Sequence, residues 1–199
     1  MFEHTSLLNR QNRQPHRGWA ILEQGSIGIV VVIVIVVVVS LISGMWSKKD
    51  VAIESSNYQS LVSSARGYLK GGSAGYSFTS GASMTGTLIA IGGAKGMQTQ
   101  GDPASGSATL WNTWGGQVIL TPVATNGFNG GFTVSSAKIP QDACISIAQQ
   151  LGSGGTFSAI SINGSQHTDG LVTAETATKE CTKNVGTTGQ NTLTFTVSS

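Results

Sequence analysis

Charged side chains are scarce in this sequence: only 10% of the 199 residues are Asp, Glu, Lys or Arg, and the formal net charge is +2. Residues 1–18 hold three of the eleven basic residues and one of the nine acidic residues, so eight of each remain beyond them. Proteins that bind nucleic acid present a clustered basic surface to the phosphates. The balanced charge predicts no such surface and no nucleic-acid partner.

Residues that carry chemistry are also few. His167 is the one histidine beyond residue 18, and Gln166-His167-Thr168-Asp169-Gly170 is typical of a polar turn that leaves the histidine exposed in a loop. The candidate acids show no close pair with acid–base spacing: Asp102, Asp142, Asp169, Glu175 and Glu180. The two cysteines, Cys144 and Cys181, lack redox C-x-x-C spacing. We therefore expect no catalytic residue, no metal site, no cofactor and no enzyme activity.

In contrast, apolar residues are concentrated in one long run. Trp19 to Ile42 is 24 residues, which as a helix spans roughly 36 Å and can cross a hydrocarbon core of about 30 Å. Glu23 interrupts this run. A carboxylate in the membrane costs about 2.5–3.5 kcal/mol unless it is paired, and no Lys or Arg occurs between Trp19 and Trp46. Cleavage after Gly18 would create an amine at Trp19 that could pair with Glu23 of an adjacent, staggered copy.

A basic leader ending in Gly18, a hydrophobic residue at position 19, Glu23 and the long apolar helix together resemble a type IV prepilin. The 18-residue leader, and a residue other than Phe at the first position after the cleavage site, resemble the type IVb branch. A Trp at that position, Trp19, is similar to the first residue of pilins from thin conjugative pili. The resemblance implies that a prepilin peptidase cuts between Gly18 and Trp19, and that Trp19 and Glu23 direct subunit assembly. The alternative is an ordinary signal peptide cut near Gly44, or a single-pass anchor.

The region after the apolar run predicts a continuous helix with an amphipathic second half. Apolar residues recur at helical spacing in a single stripe: Tyr58, Leu61, Val62, Ala65 and Leu69. Gly71-Gly72 is a plausible stop. We expect a leader at 1–18, a helix at 19–70 with a transmembrane half at 19–42 and an amphipathic half at 43–70, and a globular head at 71–199. Residues 71–109 are Gly- and Ser-rich and are interpreted as the connection from helix to sheet.

The stretch Trp111–Leu120 has two tryptophans, a double glycine and an apolar run, which predicts a turn entering a central strand. A carbohydrate-stacking platform is the alternative function for these aromatics. Further strands are predicted at 131–135, 157–162 and 191–197, and a short helix at 141–151 carries the first cysteine. The W-G-G-x-[VI] stretch and this helix also resemble type IVb pilins. The expected fold class is therefore α+β: a long N-terminal helix packed on an antiparallel sheet.

The two cysteines favour one disulfide, Cys144–Cys181, if the chain is exported, because an even count in an exported domain is typical of pairing. A loop of about 37 residues would contribute roughly 3–4 kcal/mol. Two buried free thiols are the alternative. The pair again resembles the disulfide-closed C-terminal region of type IVb pilins.

The resemblance implies the major subunit of a type IVb pilus, held in the bacterial inner membrane before assembly and then extracellular. Its partners would be copies of itself, the prepilin peptidase, the inner membrane and the pilus assembly machinery, with a receptor on a host or recipient cell. The filament would serve adhesion, aggregation or cell–cell contact, including conjugative mating. The alternatives are a minor pilin or tip adhesin with a ligand site in residues 152–190, a pseudopilin, or an anchored surface protein that never polymerises.

Overall fold

The computed structural model describes residues 48–125 and 128–198. This part of the chain contains a helical stretch at residues 48–68, which we call α1, three further α-helices and seven strands. The further helices are α2 (Gly81–Ala90), α3 (Gln141–Gly152) and α4 (Ala174–Glu180). The strands are β1 (Gln98–Gln100), β2 (Thr109–Trp111), β3 (Gln117–Thr125), β4 (Phe128–Ile139), β5 (Ala159–Ile162), β6 (Ser165–His167) and β7 (Asn191–Ser198).

The strands form one sheet in the order β1-β2-β3-β4-β7-β5-β6, and every pairing is antiparallel. Strand β7 shows why one face of the sheet is buried. Leu193, Phe195 and Val197 are at most 1% exposed, whereas the threonines between them are half-buried. Alternation of this kind places apolar side chains on the core face. The α+β fold class with an antiparallel sheet is confirmed.

Helix α1 covers the buried face of the sheet. The whole predicted stripe is buried, with exposures between 0% and 6%: Tyr58, Leu61, Val62, Ala65 and Leu69. The ring of Tyr58 lies 5.5 Å from that of Phe195 in the central part of the sheet. The helix ends at residue 68, two residues before the predicted end, and a 3-10 turn at Gly72–Ala74 follows. Of the predicted amphipathic half, residues 43–70, the structure describes residues 48–70, and residues 48–68 are helical.

The predicted transmembrane half, Trp19–Ile42, lies outside the described residues. Within residues 48–125 and 128–198, none of the helices has both the length and the apolar content needed to cross a membrane.

Residues 71–109, interpreted as the connection from helix to sheet, contain regular structure of their own: α2, β1 and the first residue of β2. Ser80 caps the N-terminus of α2, and its side chain accepts a hydrogen bond from the Ser83 N–H at 3.1 Å. Its sequence holds two glycines and two threonines, which have low helix propensity. The local sequence therefore gives little indication of a helix. Packing stabilises it instead: Met84 and Leu88 are fully buried.

Helix α2 also occupies the edge of β3 that the short strand β2 leaves open. The hydroxyl of Thr85 accepts a hydrogen bond from the Leu120 N–H at 2.9 Å and donates one to the Gly81 carbonyl at 2.8 Å. Buried strand edges need partners for their backbone groups. Here a helix side chain provides the partner.

The turn and strand predicted in Trp111–Leu120 are present as β2, a turn at residues 112–116, and β3. The predicted strands at 131–135 and 191–197 lie within β4 and β7, and the strand predicted at 157–162 begins at Ala159 as β5. The predicted helix at 141–151 is α3, which buries Cys144, Ile147 and Leu151. Helix α4 was not predicted, because its seven residues bury a single alanine, Ala177, and show no apolar period.

Candidate functional site

The predicted site residues divide into two groups. Gly18, Trp19 and Glu23, the predicted cleavage and assembly residues, lie outside the described residues. Cys144 and Cys181 lie within them and form a disulfide whose Cα atoms are 6.0 Å apart. The predicted disulfide is confirmed. Around it, and where α1 meets the turn at residues 112–116, the structure buries two polar clusters that fix how the helices are attached.

The first cluster centres on Glu54 in α1, which is 1% exposed. Its Oε1 accepts hydrogen bonds from the Thr113 backbone N–H at 2.6 Å and from the Thr113 hydroxyl. The other carboxylate oxygen, Oε2, is buried without a hydrogen-bond partner among the described residues. Burying an acceptor without a partner costs about 1–3 kcal/mol. Glu54 therefore holds α1 to the 112–116 turn while keeping half of its acceptor capacity unused.

One turn further along α1, Tyr58 extends this cluster to β4. Its hydroxyl and that of Ser136 are 2.8 Å apart, and the Asn112 Nδ2 donates to Ser136 Oγ at 2.9 Å and to the Ala137 carbonyl at 2.7 Å. Burial raises the pKa of Tyr58 well above its ordinary value, and the negative charge of Glu54 raises it further. We call Glu54, Tyr58, Asn112, Thr113 and Ser136 the helix–sheet junction.

Asn112 also stabilises the turn at residues 112–116, to which Glu54 is hydrogen-bonded through Thr113. Its Oδ1 accepts hydrogen bonds from the N–H groups of Trp114 at 3.0 Å and Gly116 at 2.8 Å. Gly115 has φ +70°, which favours glycine. A Cβ at Gly116 would lie 1.8 Å from the Ala137 carbonyl oxygen, so this position also requires glycine. The double glycine that suggested a turn therefore has two separate causes.

The second cluster surrounds the disulfide and is centred on Asn191, which is fully buried. Its Nδ2 donates to the carbonyls of Ile139 at 3.0 Å and Thr182 at 2.9 Å. Its Oδ1 accepts from the Thr182 N–H at 2.6 Å and from Asn163 Nδ2 at 2.9 Å. One amide thus joins β4, β7 and the residue after Cys181. We call residues 174–191, which contain α4, Cys181 and Asn191, the disulfide region.

His167 lies at the edge of this region and not in an exposed loop, so that expectation was wrong. It is the last residue of β6, and its side chain is 18% exposed. Its Nε2 lies 2.8 Å from Oε2 of Glu180, the last residue of α4. The pairing of β6 with β5 places the imidazole over the end of α4. The turn that was predicted at 166–170 begins only after the strand, where the Gly170 N–H donates to the His167 carbonyl at 3.1 Å.

The two clusters include residues that sequence reasoning missed. Glu54 lies four residues before Tyr58, so it continues the buried stripe of α1, and a carboxylate in that position was a usable signal. Asn112 and Asn191 gave no comparable signal, because asparagine is common in turns and at strand ends. In the part of the chain that the structure describes, no three His, Cys, Asp or Glu side chains come together as a metal site.

Comparison with known proteins gives a consistent result. Residues 48–198 match the family described as PilS N terminal. A crystal structure of a type IVb pilin from Salmonella typhi is 53% identical, with a TM-score of 0.65, and the match covers 73% of this chain and 98% of that one. An NMR structure of the type IVb pilin PilS from Salmonella typhi is 52% identical, with a TM-score of 0.55 and coverage of 76% and 98%. Among curated proteins, none matches.

Proposed function

We propose that this chain, which belongs to the PilS family of type IVb pilins, is the major structural subunit of a filament. The observation that carries the proposal is the 53% identity over 98% of a Salmonella typhi type IVb pilin. The family is one of structural pilins and not a class of enzymes, which agrees with the expectation of no catalysis. The filament is extracellular and is used for adhesion, aggregation or cell–cell contact, including mating contact during conjugation.

Assembly follows from the segment that precedes the head. A prepilin peptidase removes residues 1–18 at the cytoplasmic face of the inner membrane, and the apolar helix from Trp19 holds the subunit there until the pilus machinery extracts it. The Trp19 amine of one copy then pairs with Glu23 of the next. The pairing replaces the cost of a buried lone carboxylate by an ion pair and sets the stagger between copies. A head-to-tail contact that does not close produces an open helical fibre.

The composition of the head supports packing against copies of itself. Only 10% of the chain is charged, so close approach of identical surfaces brings little repulsion. Among the described residues, the most exposed large apolar side chains are Tyr68 at the end of α1 (70%), Val185 in the disulfide region (69%) and Leu171 (60%). Exposed apolar groups of this kind gain from burial in an assembly.

The test begins with protein sheared from cell surfaces. We expect an N-terminus at Trp19 and an intact mass two hydrogens below that of the reduced chain. N-methylation of Trp19 would add a methyl group to this mass. An N-terminus at Met1 or near Met45 would contradict the processing step and the filament mechanism with it.

Glu23→Ala tests the assembly step, with Gln24→Ala as the matched control at the adjacent polar position. We expect Glu23→Ala to be stable in the membrane but to yield few filaments by electron microscopy, while Gln24→Ala assembles normally. Normal filament yield from Glu23→Ala would exclude the proposed pairing. A minor pilin or tip adhesin remains the second candidate, and it would be a small fraction of the sheared filament protein instead of the dominant band.

A further inference from the structure

We propose that the outer corner of the sheet, where β1 pairs with β2, binds a neutral saccharide. The corner contains a groove of about 240 Å³ lined by five residues: Gln98, Thr99, Gln100, Trp111 and Gly115. The three β1 side chains are exposed, and none of the five lining residues is charged. The groove belongs to a single chain, so this proposal does not depend on polymerisation.

The strand register places an aromatic ring between two amides. Gln98 in β1 is paired with Trp111 in β2, and Trp111 is paired with Gln117 in β3. Directly paired residues project from the same face of a sheet with their Cβ atoms about 4.5–5.5 Å apart. Gln117 is exposed, as Gln98 is. The half-buried indole is therefore flanked on both sides by side chains that can reach a ligand lying across it.

Trp111 is held in place before any ligand arrives. Its Nε1–H donates to the Thr109 hydroxyl at 3.0 Å, and that hydroxyl donates to the Gln100 carbonyl at 3.3 Å. Because the indole N–H already has a partner, a ligand in the groove would contact the carbon atoms of the ring and not this polar atom. A preorganised side chain loses little entropy on binding.

These groups match the chemistry of a sugar ring. A pyranose has a face of C–H bonds, which packs on an aromatic ring, and a rim of hydroxyls that both donate and accept hydrogen bonds. The amides of Gln98 and Gln100, which lie on the same face of β1 as each other, can do the same in return, whereas the lining offers no counter-charge for an acidic ligand. The volume is below the range of about 300–1,000 Å³ that encloses drug-sized ligands, so the groove suits one ring of a longer chain that continues into solvent.

The open edge of β1 could instead pair with a strand of another protein, but its length argues against this. The strand has three residues, and glycines with positive φ lie close to both ends: Gly96 at +93° and Gly101 at +96°. Both turn the backbone out of the extended conformation. Very short edge strands are one way in which sheets avoid edge pairing. A small ligand fits this corner better than an added strand.

Saturation-transfer NMR on the full chain, purified in a detergent without a sugar headgroup, tests the proposal. The probes are lactose, N-acetyllactosamine and maltotriose, with 3′-sialyllactose as the charged counterpart of lactose. We expect at least one neutral probe to bind, with no gain from the added carboxylate. A second arm uses neutral polysaccharide from a bacterial envelope, which separates an animal-cell source of the ligand from a bacterial one.

Trp111→Ala should weaken binding about tenfold, because it removes the aromatic ring on which the C–H face of the sugar packs. Gln98→Ala, at an exposed position that leaves the core intact, should weaken it about threefold. Trp114→Phe, a neighbouring tryptophan outside the groove lining, is the matched control and should bind normally. The proposal is overturned if no neutral probe binds in either arm, if folded Trp111→Ala binds like the native chain, or if sialyllactose binds tenfold better than lactose. Self-association that depends on Gln98 and is unaffected by saccharide would also overturn it.

Discussion

The helix–sheet junction and the disulfide region both fasten a helix to the rest of the head, but they do so by different means. At the junction, Glu54 and Thr113 are 59 positions apart in sequence and are joined only by hydrogen bonds. In the disulfide region, the residues that directly follow α4 are joined to α3 by the Cys144–Cys181 bond and to β4 and β7 by the Asn191 amide. Helix α1 buries a whole apolar stripe, whereas α4 buries Ala177 alone. Where apolar burial is small, the crosslink replaces it.

The comparison is tested most strongly by removing the crosslink. Cys144→Ala combined with Cys181→Ala should lower the free energy of unfolding by about 3–4 kcal/mol, because a separation of 37 residues sets the loop entropy that the bond removes from the unfolded chain. Urea denaturation measures the loss. Hydrogen exchange should show that α4 loses protection first while β3 and β4 keep theirs.

Reduced native protein is the control for that variant, since it keeps both sulfur atoms and so isolates the crosslink from any cavity. If protection instead fell equally in α1, β3 and α4, the disulfide would stabilise the whole head uniformly. The contrast between the two regions would then be lost.

The junction is tested by Glu54→Ala and Glu54→Gln. The alanine variant leaves the Thr113 N–H and hydroxyl without their acceptor and should cost about 2 kcal/mol. Glutamine keeps one acceptor oxygen in place and replaces the buried, unpartnered Oε2 with an uncharged amide nitrogen. We therefore expect it to change the free energy of unfolding by less than about 1 kcal/mol. Equal losses in both variants would show that the charge, and not the acceptor, holds α1.

The sequence predicted those parts of the head in which apolar spacing decides the structure. The α1 stripe, the alternation in β7 and the burial of Cys144 in α3 all follow from periodicity. Helix α2 and β1 could not be predicted in this way. Helix α2 is stabilised by contacts such as that of Thr85 with Leu120, and β1 consists of three exposed polar residues.

The candidate sites also divide into residues that the local sequence reveals and residues that only the fold brings together. The cysteine pair could be predicted because both residues are chemically distinctive, and an even cysteine count in a domain expected to be exported is itself a signal. The Asn191 network could not, because Ile139, Asn163 and Thr182 converge on it only through the sheet register. His167 was misjudged for the same reason: its local sequence is typical of a turn, while its pairing with β5 makes it part of a strand.

Tyr58→Phe is a smaller change within the junction. It removes the hydroxyl contact with Ser136, which still has Asn112 as a partner, so we expect a loss of about 1 kcal/mol near neutral pH. The pH dependence of the free energy of unfolding is a more specific test of the Tyr58 hydroxyl. Burial and Glu54 raise the pKa of Tyr58, so the folded state keeps this proton to a higher pH than the unfolded chain does. Its stabilising contribution is complete below about pH 10, the ordinary tyrosine pKa, and is lost as the pH rises above that value.

Urea midpoints at about pH 8 and about pH 11 measure this difference. The native chain should lose more stability over that interval than Tyr58→Phe does. Burial also raises the pKa of Tyr76, but this residue is present in both proteins and cancels in the comparison. Parallel losses in the two proteins would mean that Tyr58 does not control the alkaline limit.

The smallest expected effect on stability comes from the two acidic side chains of α4, Glu180 and Glu175, which make different ion-pair contacts. Glu180 meets His167 of β6 with side chains that are 23% and 18% exposed, whereas Glu175 meets Lys179 within the helix with side chains that are 78% and 71% exposed. Exposed ion pairs contribute about 0–1 kcal/mol, and the better shielded of two pairs keeps more of its attraction. Glu180→Gln should therefore lower the free energy of unfolding by up to about 1 kcal/mol, while Glu175→Gln, its matched control, should have no measurable effect. If the two variants behaved alike, the contact with β6 would add nothing to the attachment of α4, and the disulfide and Asn191 would account for all of it.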